Sequence, residues 1–320
     1  MGAARPLRVL FAGSPAIAVP ALEALAAGGA GFELAGLLTN PDSPRGRSGR
    51  PEPTECASAL SRVSNGAIPT LKPERLDGDA RGLAGALKPD LLVSFAYGKI
   101  FGPKFLGLFP LGGINAHPSL LPRHRGATPI PAAILGGDAE TGLTVQRLAA
   151  EMDRGDVLTQ ERVPLNGRET TAGLSATMAR MAAETLPPLI GRIAAGGVQG
   201  RAQDDGAATY CSLVSKADGL IDWGLGARQI DARIRAYTPW PLSWTAHGDL
   251  RLFILKARAA PFHGTGAPGE VLGKDENMGI LIGTGEGALA VTELQYRGKK
   301  ALGWKDFLNG ARNFMGGKLG

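Results

Sequence analysis

The chain has 320 residues, 44% of them hydrophobic and 20% charged, which allows a large buried core, favours two domains over one and argues against a disordered polymer. Its 47 Gly and 23 Pro are scattered between apolar runs without a period, so collagen-like, low-complexity and repeat architectures are excluded. The formal net charge of +6, most one-sided from Arg297 onward (Arg297, Lys299, Lys300, Lys305, Arg312 and Lys318 against Asp306), favours an anionic partner without specifying it.

In chain order, Leu7 to Ala12 is a short apolar run, followed by Ser14 and Pro15 as an expected N-cap and first helical residue, then by helical periodicity up to Gly28. Glu33 to Thr39 reads as a second strand, and Asp90 to Ala96 as a strand buried on both faces. Gly113 to His117 is the next strand, stopped by Pro118, with a helix from Pro129 to Leu135. Strands follow at Leu143 to Leu148 and Val157 to Gln160, then a long amphipathic helix from Thr170 to Ala194. Strands alternating with helices imply an α/β, doubly wound, mostly parallel Rossmann-like sheet. Residues 196–209 turn polar and Gly-rich, as a linker would. Beyond it, short strands at 244–246, 250–256, 269–272, 279–282 and 289–294 suit a small OB-like β-barrel. The expected domains are therefore 1–195, a linker at 196–209, and 210–320.

Several patterns are set aside. Gly264 to Gly269 spells GxGxxG, but Pro261 precedes it, Pro268 interrupts it and a strand follows, so a turn is expected and not a dinucleotide site. Gly283 to Gly287 reads as a hairpin loop, and no GxxxxGK[ST], HExxH or CxxC is present. Cys56 and Cys211 lie far apart without a ligand-spaced partner, which argues for reduced thiols, no metal, and a cytoplasmic home. The N-terminus has Pro6 where a myristoylation signal needs Ser or Thr, and Leu7 to Ala12 is too short for a secretory segment. No stretch approaches the ~20 apolar residues of a membrane span. A soluble protein is expected, and nothing requires a dimer, so a monomer is expected too.

The chemistry is suggested by "INAHPSLLP". In a strand, residues i and i+2 share a face, so Asn115 and His117 point together. Their position at the carboxyl end of a parallel strand is where open α/β sheets hold ligands. Two such N–H groups can stabilise an oxyanion, and imidazole can move a proton near neutral pH, which suggests acyl or related group transfer. Pro118 stops the strand, Ser119 to Pro122 makes a constrained turn, and Arg123 to Gly126 adds a basic loop. Glu151, Asp153 and Asp156 are candidate carboxylates: Asp156 can simply enter the following strand, while Asp153 in the loop is freer to reach the histidine, and spacing leaves both open.

Asn115-x-His117, the SLLP turn, Arg125-Gly126-Ala127 and Asp153-x-Gly155-Asp156 together resemble the folate-dependent formyltransferases. Further likenesses lie in Phe11-Ala12-Gly13-Ser14-Pro15, Ile221-Asp222-Trp223, Ile234-Arg235-Ala236-Tyr237 with Pro239-Trp240-Pro241, and Gly298-Lys299-Lys300-Ala301. These resemble the members of that family that formylate methionyl initiator tRNA, from about Leu7 to Asn309. The resemblance implies 10-formyltetrahydrofolate as cosubstrate and no metal. It implies Asn115 and His117 as holders of the developing oxyanion, with Asp153 orienting His117 and helping to carry the proton away from the amine. A folate pocket is expected around Phe95, Ala96, Tyr97, Gly98, Ser119, Leu120, Leu121 and Pro122. The Pro- and Gly-rich loop from Pro41 to Pro53, long enough to be mobile, would bring Arg45, Arg47 and Arg50 to the tRNA, with Lys299 and Lys300 on its backbone. Ser48 and Gly49 stand where the family often has further lysines, so the loop's grip would differ in detail. Tyr237, Trp240 and Trp244 are either base-stacking surfaces or core, and core is favoured because large aromatics are mostly buried. The alternative function is N-formylation of an amino sugar or other small amine.

Overall fold

The structure is a computed structural model and describes residues 5–29, 31–44, 49–261, 266–311 and 313–320. It divides into two compact units: residues 1–129, 140–164 and 175–211, and residues 130–139, 165–174 and 212–320.

The first unit begins with β1 (Leu7–Ala12), α1 (Val19–Ala26) and β2 (Phe32–Leu38). Ser14 does not cap the helix: its hydroxyl bonds the Thr39 side chain and accepts the Asn40 N–H at 3.0 Å, tying the β1 end to the β2 end instead. A 3-10 turn at Ala16–Ala18 leads into α1. The loop expected to be mobile has a paired base, a short antiparallel ladder of β3 (Ser43–Pro44) with β4 (Pro51–Glu52). Arg45 and Arg47 lie outside the described residues. The next elements are α2 (Glu55–Ser64), β5 (Thr70–Leu71), α3 (Gly78–Ala86) and β6 (Leu91–Ser94). Thr54 and Asp77 cap the two helices by accepting from Ala57 N and Ala80 N.

After β6 the chain runs through α4 (Pro103–Leu106) into β7 (Gly113–His117), β8 (Arg125–Gly126), α5 (Pro129–Leu135), β9 (Glu140–Arg147), β10 (Val157–Pro164), α6 (Thr171–Ala194) and β11 (Tyr210–Cys211). The main sheet has the order β10-β9-β7-β6-β1-β2-β5. Its five strands from β7 to β5 are parallel, whereas β9 and β10 are antiparallel additions at the edge. Val9, Leu10, Phe11 and Ala12 are fully buried, as a central strand covered on both faces requires. Tyr97, Phe101, Phe105 and Phe109 form a ladder of rings 5.5 to 5.8 Å apart that anchors the segment between β6 and β7. Residues 196–209 fold onto this unit: Arg201 exchanges backbone bonds with Val157, and β11 pairs in parallel with β8.

In the second unit, α7 (Ala227–Ala236) precedes β12 (Ser243–His247), β13 (Leu250–Ala260), β14 (Val271–Asp275), β15 (Gly279–Gly283), β16 (Ala288–Tyr296), β17 (Leu302–Gly303) and α8 (Trp304–Gly310). The strands form an antiparallel sheet, β12-β13-β16-β15-β14, with β17 on β16. Bulges between Ile254 and Ala257 bend β13. Ile230 and Ile234 of α7 pack with Leu252, Ile254, Ile280, Leu289 and Phe307 in one core. Residues 284–287 are the expected hairpin loop, closed by the Thr284 hydroxyl, whose one hydrogen lies within reach of both the Glu286 and Gly287 carbonyls. Of the GxGxxG pattern, Gly264 and Thr265 lie outside the described residues, and Gly269 is a turn residue whose N–H bonds the Gly283 carbonyl.

Candidate active site

The site is built on β7 and β9. Register pairs Asn115 with Gln146 and His117 with Thr144, so four polar side chains share one face of otherwise apolar strands. His117, Thr144 and Gln146 are buried and Asn115 is half-buried. The loop after β9 carries Asp153 back to this face, and Asp153 has a left-handed backbone, φ +56°. Its Oδ1 accepts from Gln146 Nε2 at 2.9 Å and its Oδ2 from the Gly126 N–H at 2.9 Å.

His117 Nε2 lies 2.9 Å from the His124 carbonyl. A carbonyl can only accept, so Nε2 carries the proton and neutral His117 presents its lone pair at Nδ1. Nδ1 is 3.6 Å from Asp153 Oδ1, beyond hydrogen-bond length, as expected for two acceptors facing each other. Burial pushes the imidazole below its ordinary pKa, with the Asp153 carboxylate and the His124 carbonyl opposing the shift. The arrangement can accept a proton at Nδ1, and the imidazolium then gains the facing carboxylate. Asp156 enters β10, its backbone carbonyl accepting from Arg147 N as the strand begins.

Two glycines make the loop geometry possible. Gly126 has φ +115°, and a Cβ there would collide with the Cys211 carbonyl. A Cβ on Gly155 would collide with the Arg147 carbonyl where the Asp153 loop closes.

The turn from Ser119 to Pro122 is braced from within. Thr144 Oγ1 donates to the Ser119 carbonyl at 2.7 Å and accepts from Leu121 N at 3.1 Å, while the Ser119 hydroxyl donates to the Arg123 carbonyl. Gln160 adds a bond to the Leu121 carbonyl. Among the residues expected to bind folate, Phe95, Tyr97, Ser119 and Leu121 are buried; Ala96 and Gly98 are exposed, and Leu120 and Pro122 half-buried. Ala96 and Gly98 have φ of +52° and +82°, turning their backbone outward. The Tyr97 hydroxyl is buried without a partner among the described residues, and burial pushes its pKa up to about 12, keeping it a donor. An exposed backbone and half-buried apolar side chains are the kinds of surface that a planar heterocycle such as a pterin needs.

Lys299 and Lys300 are exposed in the turn after β16, where the Lys299 N–H bonds the Tyr296 carbonyl. Arg50 is exposed beside β4. Of the three aromatics, Tyr237 is buried, Trp244 is half-buried under the Arg251 guanidinium at 3.8 Å, and Trp240 is 53% exposed, so the core expectation fails for Trp240. Both thiols are free, and burial pushes Cys56 up to about 12. Among the described residues there is no cluster able to hold a metal ion, and no helix is long and apolar enough to cross a membrane.

Sequence reasoning missed Gln146 and Gln203. Gln203 Nε2 lies within hydrogen-bond distance of Asp153 O, Gly155 O and Gln146 Oε1, and Arg125 donates to its Oε1. For Gln146 the signal was present, a polar residue in an apolar strand like Asn115; Gln203 sits in a segment too polar for one more amide to stand out.

The family described as "Formyl transferase" matches residues 7–190, and "Formyl transferase, C-terminal domain" matches residues 213–312. A methionyl-tRNA formyltransferase of Treponema denticola is 46% identical over 97% of this chain and 99% of its own length. One from Pseudomonas fluorescens is 38% identical over 96% of this chain and 94% of its own. Among solved structures, an N-formyltransferase from Helicobacter canadensis in complex with folinic acid and dTDP-3-aminofucose has TM-score 0.65 at 18% identity, over 89% of this chain and 98% of that one. HypX from Aquifex aeolicus in complex with tetrahydrofolic acid has TM-score 0.61 at 15% identity, over 97% of this chain and 48% of that one. These two share the fold. Full-length identity to the first two, together with both domain matches, places the chain in the formyl transferase family, in its methionyl-tRNA formyltransferase branch.

Proposed function

We propose that the protein transfers the formyl group of 10-formyltetrahydrofolate to the α-amino group of methionyl initiator tRNA. The observation that carries this reading is His117, buried and neutral, with Nδ1 facing Asp153 in a chain whose relatives along its whole length carry that name.

In the reaction, the amine nitrogen bonds to the formyl carbon and the bond from that carbon to the folate nitrogen breaks. Asn115 holds the developing oxyanion through its amide N–H; His117, whose ring N–H goes to the His124 carbonyl, does not share that role as the resemblance implied, and its Nδ1 takes the proton from the amine. Once protonated, Nδ1–H faces the Asp153 carboxylate, which stabilises the imidazolium until the proton passes to the departing nitrogen. Asp153 thus acts by its charge and position beside the imidazole. The backbone at Ala96 and Gly98 and the side chains of Leu120 and Pro122 border the pterin, while Phe95, Tyr97, Ser119 and Leu121 support that wall from within. Lys299, Lys300 and Arg50, with Arg45 and Arg47, supply cations for tRNA phosphates.

The test is formyl transfer from 10-formyltetrahydrofolate to methionyl initiator tRNA at low and moderate salt, with His117→Ala as control. Salt-sensitive transfer abolished by the substitution is expected. Transfer to small amines but not to the tRNA would overturn the acceptor, and near-native turnover in both Asn115→Ala and His117→Ala would overturn the mechanism.

A further inference from the structure

We propose that Gln203 is a positioning residue for this reaction: its amide sets the orientation of Asp153 and so fixes the carboxylate that faces His117. The inference rests on the functional reading above.

Arg125 is 1% exposed although it carries a full charge. Its guanidinium is held by Asp205 Oδ1 at 2.8 Å and donates to the Tyr210 hydroxyl at 3.1 Å. It also donates through Nε and Nη2, at 3.1 and 2.8 Å, to Gln203 Oε1. A guanidinium can only donate, so the Gln203 amide has its oxygen toward Arg125 and its nitrogen toward the Asp153 loop. That nitrogen meets three acceptors: Gly155 O at 2.7 Å, Asp153 O at 2.9 Å and Gln146 Oε1 at 3.1 Å. Two hydrogens shared among three acceptors hold the loop around Asp153, whose left-handed φ of +56° is uncommon for a non-glycine residue.

The direction then propagates. With Gln146 Oε1 accepting from Gln203, the Gln146 amide must turn its nitrogen to Asp153 Oδ1, the 2.9 Å bond observed. The result is a one-way chain with a donor-only guanidinium at one end and a carboxylate at the other. Neither amide can flip without setting donor against donor or acceptor against acceptor. The carboxylate rotamer that faces His117 is thereby determined from residue 203, in a segment remote in sequence from the site.

The experiment uses the full chain with Gln203→Met, which preserves length but cannot donate, alone and combined with Asp153→Asn. A drop in kcat of about 10–100-fold is expected for Gln203→Met, with KM for methionyl-tRNA unchanged, since a small misplacement of supporting groups acts on the chemical step. The double variant should be no slower than Asp153→Asn alone, because both changes act through one group. In parallel, the His117 Nδ1 resonance of a ¹⁵N-histidine-labelled chain at neutral pH should move in Gln203→Met in the same direction as in Asp153→Asn. If the Met variant does not fold, Gln203→Asn, which withdraws the amide by one methylene, takes its place. Unchanged kcat with an unmoved resonance, or multiplicative losses in the double variant, would overturn the proposal. The resonance needs no substrate, so it decides the positioning role even if the native chain fails to formylate methionyl-tRNA.

Discussion

His117 Nδ1 stands 3.6 Å from Asp153 Oδ1 while the opposite ring nitrogen donates to the His124 carbonyl at 2.9 Å. The imidazole is thus held by a neutral partner and faced by a charged one. The charged pairing becomes favourable only when a proton arrives. Asp153→Asn should therefore lower kcat by about 10²–10³, the scale of losing one preorganised electrostatic partner. Because its amide NH2 must face either the Gly126 N–H or the Gln146 amide NH2, it should also cost about 1–3 kcal/mol of stability. Steady-state kinetics beside a urea melt checks it, and a loss confined to KM would contradict it.

The depressed pKa of His117 has a defined sign for stability. Burial lowers its proton affinity in the folded chain relative to the unfolded one. Between the two values the unfolded chain binds more protons, so stability rises with pH in that window. The full contribution is present above the unfolded value, about 6.5, and declines as pH falls below it toward the folded value. Urea midpoints measured across this range should fall on acidification, and His117→Gln should flatten the dependence. The same neutral imidazole predicts a kcat plateau at neutral pH with an acid limb displaced below the ordinary histidine range.

Gly126→Ala should be costly twice over. Its φ of +115° and the nearby Cys211 carbonyl leave no room for a Cβ, and its N–H is one of the two groups holding the Asp153 carboxylate in place. A destabilisation of about 1–3 kcal/mol is expected from the backbone alone. Activity per folded molecule should fall as well, which separates this position from a purely structural glycine.

Lys299 and Lys300 are exposed in the turn after β16. If they bind tRNA phosphates, replacing both with alanine should weaken binding and flatten its salt dependence, by about 0.7–0.9 in log–log slope for each phosphate no longer neutralised. Filter binding at several salt concentrations measures this, and an unchanged slope would remove them from the interface. Turnover at saturating tRNA should be unaffected.

The pairing of Asn115 with His117 was legible because strand alternation is a local rule: two polar residues two apart in an apolar run must share a face. The second-unit strands were legible from another local signal, short apolar runs punctuated by Gly and Pro. Local rules failed where the partner was distant. Ser14, placed like an N-cap, bonds the Thr39 hydroxyl and the Asn40 N–H 25 and 26 residues away, because the ends of adjacent parallel strands bring them together. Trp240 was expected inside with the other large aromatics and is exposed.

The sequence by itself determined the chemical groups and the strands that carry them: hydrophobic periodicity and the break at Pro118 are properties of neighbouring residues. Only the tertiary structure decided how those groups are aimed. Gln203 is 57 residues from Gln146 and 78 from Arg125, and no local pattern links them. Buried amides and a buried guanidinium must each find partners, and in a packed fold one mutually consistent set of hydrogen bonds satisfies them together. That set turns Asp153 toward His117.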